Sequence, residues 1–186
     1  MKLLILQQRA HKAGAQSALL RTLLTPAFQA QKVVVILGDC GWLSDEFERH
    51  QITYKIIPFP SSRSLKGKLL LNNLFVKKIV QSLGDFKPDT IIANDHGECI
   101  LTLSLANKLI TKSAAFLRSS PFTQEVFRKY QCPPFDTLFA LGTPLYTKTC
   151  AWQTGGNVHL AHDGVSHGEF RAVTQKSPTF PTQWLV

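Results

Sequence analysis

Lys87-Pro88-Asp89-Thr90-Ile91-Ile92-Ala93-Asn94-Asp95-His96-Gly97 is the stretch on which the fold turns. A proline-led turn delivers a short apolar strand, Thr90 to Ala93, which ends at once in a polar loop, and helical spacing follows through about Leu109. Upstream, Leu3 to Leu6 and Val33 to Leu37 are continuous apolar runs, the pattern of parallel strands buried on both faces, and each leads through a turn into a helix-like segment. Between them Gln16 to Leu24 places Ala18, Leu19, Thr22 and Leu23 on one helical face, and Pro26 closes the segment. Strand and helix alternating in this way predict an α/β chain: a Rossmann-like, doubly wound parallel sheet in three layers.

The alternation continues in both directions. A helix is expected from about Leu43, with Ser44 as N-cap and Phe47 inward, then a strand from Ile52 to Ile57 that Pro58 ends. The loop to Lys68 carries Arg63, Lys66 and Lys68, and the helix Leu69 to Leu83 turns Leu71, Phe75, Ile79 and Leu83 inward, Lys77 and Lys78 outward, with Gly84 as C-cap. Strands at Ala114 to Leu117, Leu138 to Leu141 and Asn157 to Ala161 alternate with helices at Pro121 to Tyr130 and Pro144 to Trp152. After Ala161 periodicity fades into Gly, Ser, Thr, Pro and Gln, and Trp184-Leu185-Val186 reads as the opening of another strand. Residues 1–170 are therefore expected to form one domain, with 171–186 a linker and the first strand of a second, truncated one.

With 186 residues, 44% hydrophobic and 18% charged, the chain suits one ordinary globular domain with its own core. Its formal charge of +9 favours anionic partners: nucleotide phosphates, nucleic acid or an acidic membrane surface. Nucleic acid is disfavoured because aromatic residues and a basic stripe are not interleaved. Cys40, Cys99, Cys132 and Cys150 form no C-x-x-C pair, so reduced, mostly buried thiols of a cytoplasmic protein are expected. The apolar opening stops at Gln7 and Gln8, short of a signal peptide, and no run approaches the roughly 20 apolar residues of a membrane span. Membrane contact would then be peripheral.

Chemistry is sought at the carboxyl edge of the sheet. In Arg9 to Gly14, Gly14 lets main-chain amides approach a phosphate at a helix N-terminus; a plain strand-to-helix turn is the alternative. One glycine in place of three, and no acid ending the second strand, argue against a nicotinamide dehydrogenase. Asn94, Asp95, His96 and Glu98 cluster after the fourth strand. There His96 can orient or deprotonate a sugar hydroxyl and Asp95 can fix its tautomer or act as base, unless Asp95 or Asn94 merely caps the next helix. Arg118-Ser119-Ser120 adds a base and hydroxyls at the same rim. His159, His162, Asp163 and His167 lie on a strand-to-loop segment where H-x-x-H does not bring two rings to one face, so no metal is assigned, and no G-x-S-x-G elbow supports a hydrolase.

Several segments match known motifs in order. Ala13-Gly14-Ala15-Gln16 is similar to a Gly-Gly-Ala-Glu turn, and Leu43-Ser44-Asp45-Glu46-Phe47-Glu48-Arg49-His50-Gln51-Ile52 to "L-x-x-E-x-x-x-x-G-I". Lys87 to His96 is similar to "K-P-D-V-I-H-A-H", Asp136 to Gly142 to "D-x-I-I-A-x-S", and Val158 to Phe170 to "V-x-V-I-P-N-G-V-D-x-x-x-F"; Trp184-Leu185-Val186 looks like the start of "W-L-V-V-G-R". Together they resemble the N-terminal and hinge part of GT-B glycosyltransferases of the retaining group 1 family. The resemblance implies transfer of a sugar from a nucleotide-sugar donor, as co-substrate and without metal or other cofactor, to a glycan or lipid-linked acceptor in cell-surface polysaccharide or lipopolysaccharide synthesis. It implies His96 at an acceptor-site histidine position and Ala13 and Gly14 near the donor diphosphate; Asp95, beside His96, joins it as a catalytic candidate, and Lys12, Arg63, Arg118 and Ser119, from charge and rim position, would meet the acceptor. The remaining donor contacts would belong to a C-terminal domain, leaving this piece inactive alone, cytoplasmic, and peripheral at the inner face of the membrane. A stand-alone nucleotide or sugar-phosphate binding module without catalysis is the alternative.

Overall fold

The computed structural model describes residues 1–60, 69–118, 122–153 and 156–162. Among them, β1 (Lys2–Gln7), β2 (Lys32–Leu37), β3 (Tyr54–Ile56), β4 (Thr90–Ala93), β5 (Lys112–Leu117), β6 (Thr137–Leu141) and β7 (Asn157–Ala161) form one sheet. All pairs are parallel, in the order β3-β2-β1-β4-β5-β6-β7, so the winding reverses between β1 and β4. The helices are α1 (Gly14–Leu23), α2 (Pro26–Gln29), α3 (Trp42–Arg49), α4 (Leu69–Leu83), α5 (Cys99–Leu109), α6 (Gln124–Lys129) and α7 (Thr143–Trp152), with a 3-10 turn at His96–Glu98 leading into α5. The expected doubly wound α/β architecture is what the chain adopts.

The apolar runs are continuous because both faces of the central strands are covered. Leu4 and Leu6, with Val34, Ile36 and Ile91, pack under Val76, Ile79 and Leu83 of α4 and Leu101 and Leu105 of α5. Leu3 and Ile5, with Val35 and Leu37, pack on the other face under Leu19 and Leu23 of α1 and Leu43 and Phe47 of α3. A third cluster joins Leu117 and Leu138 to Phe127 of α6 and the half-buried Trp152 of α7.

Several local expectations are corrected. Ser44 is not the N-cap of α3: Gly41 is, and Ser44 reaches back from the third helical position to accept a hydrogen bond from the Gly41 N–H at 2.9 Å. Pro26 ends α1 and also opens the one-turn α2, as a proline can at a first helical position. α6 starts only at Gln124, capped by Thr123, whose Oγ1 accepts from the Val126 N–H at 3.3 Å. On α4 the buried stripe is Asn72, Val76, Ile79 and Leu83, while Leu71 is 43% exposed. Of the thiols only Cys99 and Cys132 are buried; Cys40 and Cys150 are exposed, and all four are free. The expected domain border lies outside the described residues.

Gly38, just after β2, marks where chain segments crowd. A Cβ there would lie 2.3 Å from the Gln8 carbonyl oxygen, whereas one on Gly14 would meet nothing within 4 Å. Gly38→Ala must displace the turn after β1 and is expected to cost about 1–3 kcal/mol. Gly14→Ala is expected to be neutral or to stabilise α1 by up to about 1 kcal/mol. Urea denaturation of both variants checks the contrast.

Candidate functional site

Where β1 and β4 end side by side, α1 leaves over one face of the sheet and α5 over the other. The gap is floored by polar side chains that are almost wholly buried: Gln7, Gln16, Asn94 and Glu98. Nearly all of their polar atoms are paired, the buried Oε1 of Gln16 being the exception among these four. The Asn94 Nδ2 donates to Gln7 Oε1 and to the Ala15 carbonyl, and Arg118 Nε donates to the Asn94 carbonyl at 3.0 Å. Gln16 Nε2 donates to the Arg9 carbonyl at 3.1 Å. Glu98 joins the two loops: its Oε1 accepts from the Gln8 N–H at 3.0 Å and its Oε2 from the Asp95 N–H at 3.0 Å.

Burial, aided by the nearby charge of Asp95, raises the Glu98 carboxyl to a pKa of about 8, outweighing the main-chain N–H groups that favour its ionised form. Asp95 makes the contacts of two of the roles that the sequence left open, cap and holder of His96. It caps the 3-10 turn by accepting from the His96 N–H at 2.7 Å, and the same Oδ1 lies 2.6 Å from His96 Nδ1, which fixes the proton on that nitrogen. The imidazole is further held edge-on to Phe122 and Tyr130, with ring centroids 5.5 Å and 4.7 Å away.

These residues enclose an open pocket of about 350 Å3 lined by Gln7 to Arg9, His11, Ala13, Ala15, Gln16, Asp95 to Glu98 and Tyr130. Of the residues singled out from sequence, it unites Ala13, Asp95 and His96, with Gly14 between two lining alanines. Lys12 stands apart, its Nζ 5.5 Å above the Trp42 ring. Arg118 is committed to Asn94 and to the face of Phe116 at 4.6 Å. Arg63 and Ser119 lie outside the described residues. A larger hollow of about 840 Å3 opens at the opposite edge, but its Asp89 already accepts from the Lys2 N–H at 2.7 Å and its Asp136 from Ser113. The carboxyl edge, where a helix N-terminus and a histidine converge, is the better candidate.

The same architecture recurs in solved structures. HepE of Anabaena, in a complex with UDP-glucose, superposes with a TM-score of 0.67 at 20% identity, over 94% of this chain and 49% of its own. The lipopolysaccharide outer core galactosyltransferase WaaB superposes with 0.62 at 16% identity, over 89% of this chain and 46% of its own. The spinosyn rhamnosyltransferase SpnG, complexed with thymidine diphosphate, gives 0.53 at 11% identity, over 87% and 50%. What they share with this chain is the fold: a Rossmann-like half of the GT-B kind. The chain spans about half the length of these proteins. No protein-family model matches it, and neither does any curated protein sequence.

Sequence reasoning missed Gln7, Gln8 and Tyr130 and gave no separate role to Glu98. A Gln-Gln pair closing an apolar strand is a usable signal, since amides there must find partners; Tyr130 carries none, because it reaches the site through the packing of α6. The Glu98 shift makes a prediction with a definite sign. A carboxyl that holds its proton in the folded state up to about pH 8, but releases it near pH ~4.3 when unfolded, stabilises the fold fully below the lower value and ceases to do so as pH rises through the upper one. Wild-type stability should therefore fall between them by up to about 1.4 kcal/mol per pH unit relative to Glu98→Gln, in parallel urea titrations.

Proposed function

We propose that the rim pocket is the acceptor-side wall of a retaining glycosyltransferase that takes sugar from a nucleotide-sugar donor. The observation that carries this reading is the His96–Asp95 pair, 2.6 Å apart and facing the turn at the N-terminus of α1 across the switch point of a GT-B half-fold. Asp95 holds one tautomer of His96, so the ring can orient an incoming hydroxyl or take its proton. The main-chain N–H groups at Ala13 and Gly14 and the dipole of α1 suit a leaving diphosphate without recourse to a metal. HepE, crystallised with UDP-glucose, and a lipopolysaccharide galactosyltransferase share the fold, which supports a UDP-sugar donor and a role in polysaccharide or lipopolysaccharide synthesis. The rest of the donor contacts would come from the other half of such a protein.

A lipid-linked acceptor would keep the protein at a membrane. No helix among the described residues is long and apolar enough to cross one. However, α4 exposes Leu71 (43%) and Leu74 (58%) beside Lys77 and Lys78 and carries no acid from Leu69 to Leu83, which suits an anionic lipid surface on the cytoplasmic side.

In the full-length protein, His96→Ala is expected to lower transfer from UDP-glucose by roughly 10²–10⁴-fold, measured with labelled donor. Transfer at the wild-type rate would exclude the assigned role, and UDP-glucose binding without transfer or hydrolysis would favour the binding module. In flotation assays, Leu71→Ser with Leu74→Ser should release the chain from vesicles containing phosphatidylglycerol, and added salt should weaken wild-type binding.

A further inference from the structure

We propose that Glu98 is a positioning residue for the rim pocket: its buried carboxylate fixes the spacing between the loop after β1 and the loop after β4, and protonation frees one of them. Both carboxyl oxygens accept from main-chain N–H groups, Oε1 from Gln8 and Oε2 from Asp95, each at 3.0 Å. Only the ionised form offers two pure acceptors; a neutral carboxyl carries an O–H on one oxygen and so meets one of those donors less well. The bond to Asp95 lies within a single turn, whereas that to Gln8 joins segments 90 residues apart in the chain. Asp95 in turn holds His96, so the bond to Gln8 sets where the imidazole stands relative to the turn from Gln8 to Ala13.

The surroundings make Glu98 the natural group to govern this spacing. It is 3% exposed, so solvent cannot replace a lost partner. Asp95 and His96 flank it on its own loop, and Cys99 follows it in the chain. From the β1 loop Arg9 and His11 line the same pocket, as does Tyr130 from the end of α6. Asp39, after β2, is engaged by the Ala10 N–H at 2.5 Å, and Arg118, after β5, is engaged with Asn94. Arg9 places a cationic side chain on the loop that Glu98 holds, offsetting its charge toward an anionic ligand. Burial, which raises the carboxyl pKa to about 8, brings the change into the neutral-to-alkaline interval.

The test is a heteronuclear NMR titration of the chain from about pH 6 to about pH 9, following the amides of Gln8 and Asp95. They are expected to shift together with one midpoint, and both transitions should vanish in Glu98→Gln while the β4 amides stay in place. Separate midpoints, or a joint transition that survives in Glu98→Gln, would overturn the proposal. If that variant fails to fold, the side-chain carboxyl carbon of Glu98, followed in the same wild-type titration, decides: it must share the midpoint of the two amides, and a different midpoint would overturn the proposal. A second arm rests on the proposed function and uses the two-domain protein that it implies: UDP-glucose, whose diphosphate has no group titrating in this range, should bind more tightly as pH rises through the same midpoint and with a flat profile in Glu98→Gln. A flat wild-type profile would overturn the coupling. Failure of UDP-glucose to bind at any pH would count against the proposed function, with the amides still deciding on Glu98.

Discussion

β1 is buried on both faces and paired along both edges, and the rest of the molecule is arranged around that constraint. Every residue from Leu3 to Leu6 is apolar because neither face sees water. When such a strand ends, its last main-chain groups and the first polar side chains still lie inside protein, so they must be satisfied where they stand. Gln7 and Gln8 do this by bonding to the segment after β4, the neighbour on the other side of the switch. The pocket is thus a consequence of topology, because the connections on either side of β1 and β4 leave over opposite faces and nothing regular fills the space between them.

The polar floor exchanges stability for definition. A buried carboxyl with an elevated pKa is destabilising whenever it is ionised, and an apolar replacement would remove that cost. What the carboxylate supplies is direction: two N–H groups on different loops converge on one group whose position α5 fixes. Asn94 repeats the pattern, binding Gln7 and the first turn of α1 with one amide group while Arg118 holds its carbonyl. Loops tied in this way present His96 and the α1 turn at a defined separation, as a site that orients a hydroxyl requires.

The legible parts of the sequence were those governed by local rules. Continuous apolar runs announced β1, β2 and β4, and the polar residues that follow them identified Asp95, His96 and the Ala13-Gly14 turn as rim residues. Ser44 misled because Ser serves at an N-cap and at the third helical position alike, and only the Gly41 backbone decides between them. Leu71 misled because a four-residue repeat drifts around a helix, so Asn72 is buried in its place. Tyr130 and the partnership of Gln8 with Glu98 were out of reach for a different reason, since they exist only once distant segments are folded together.

Size limits what the described wall can grip. At about 350 Å3 the pocket is near the lower end of the range for small-molecule sites, enough for a sugar ring but not for a nucleotide and a sugar together. Its chemistry agrees: two histidines, an arginine, two carboxyls, glutamines and a tyrosine edge suit hydroxyl groups, and among the described residues the lining offers no aromatic pair to a nucleobase. On the proposed reading the nucleotide must therefore be held mainly by surfaces outside this pocket, with only its diphosphate approaching the α1 turn. The division follows from the fold, because a sheet edge has one open side, and a ligand longer than the gap between two loops must extend beyond it toward whatever faces that edge.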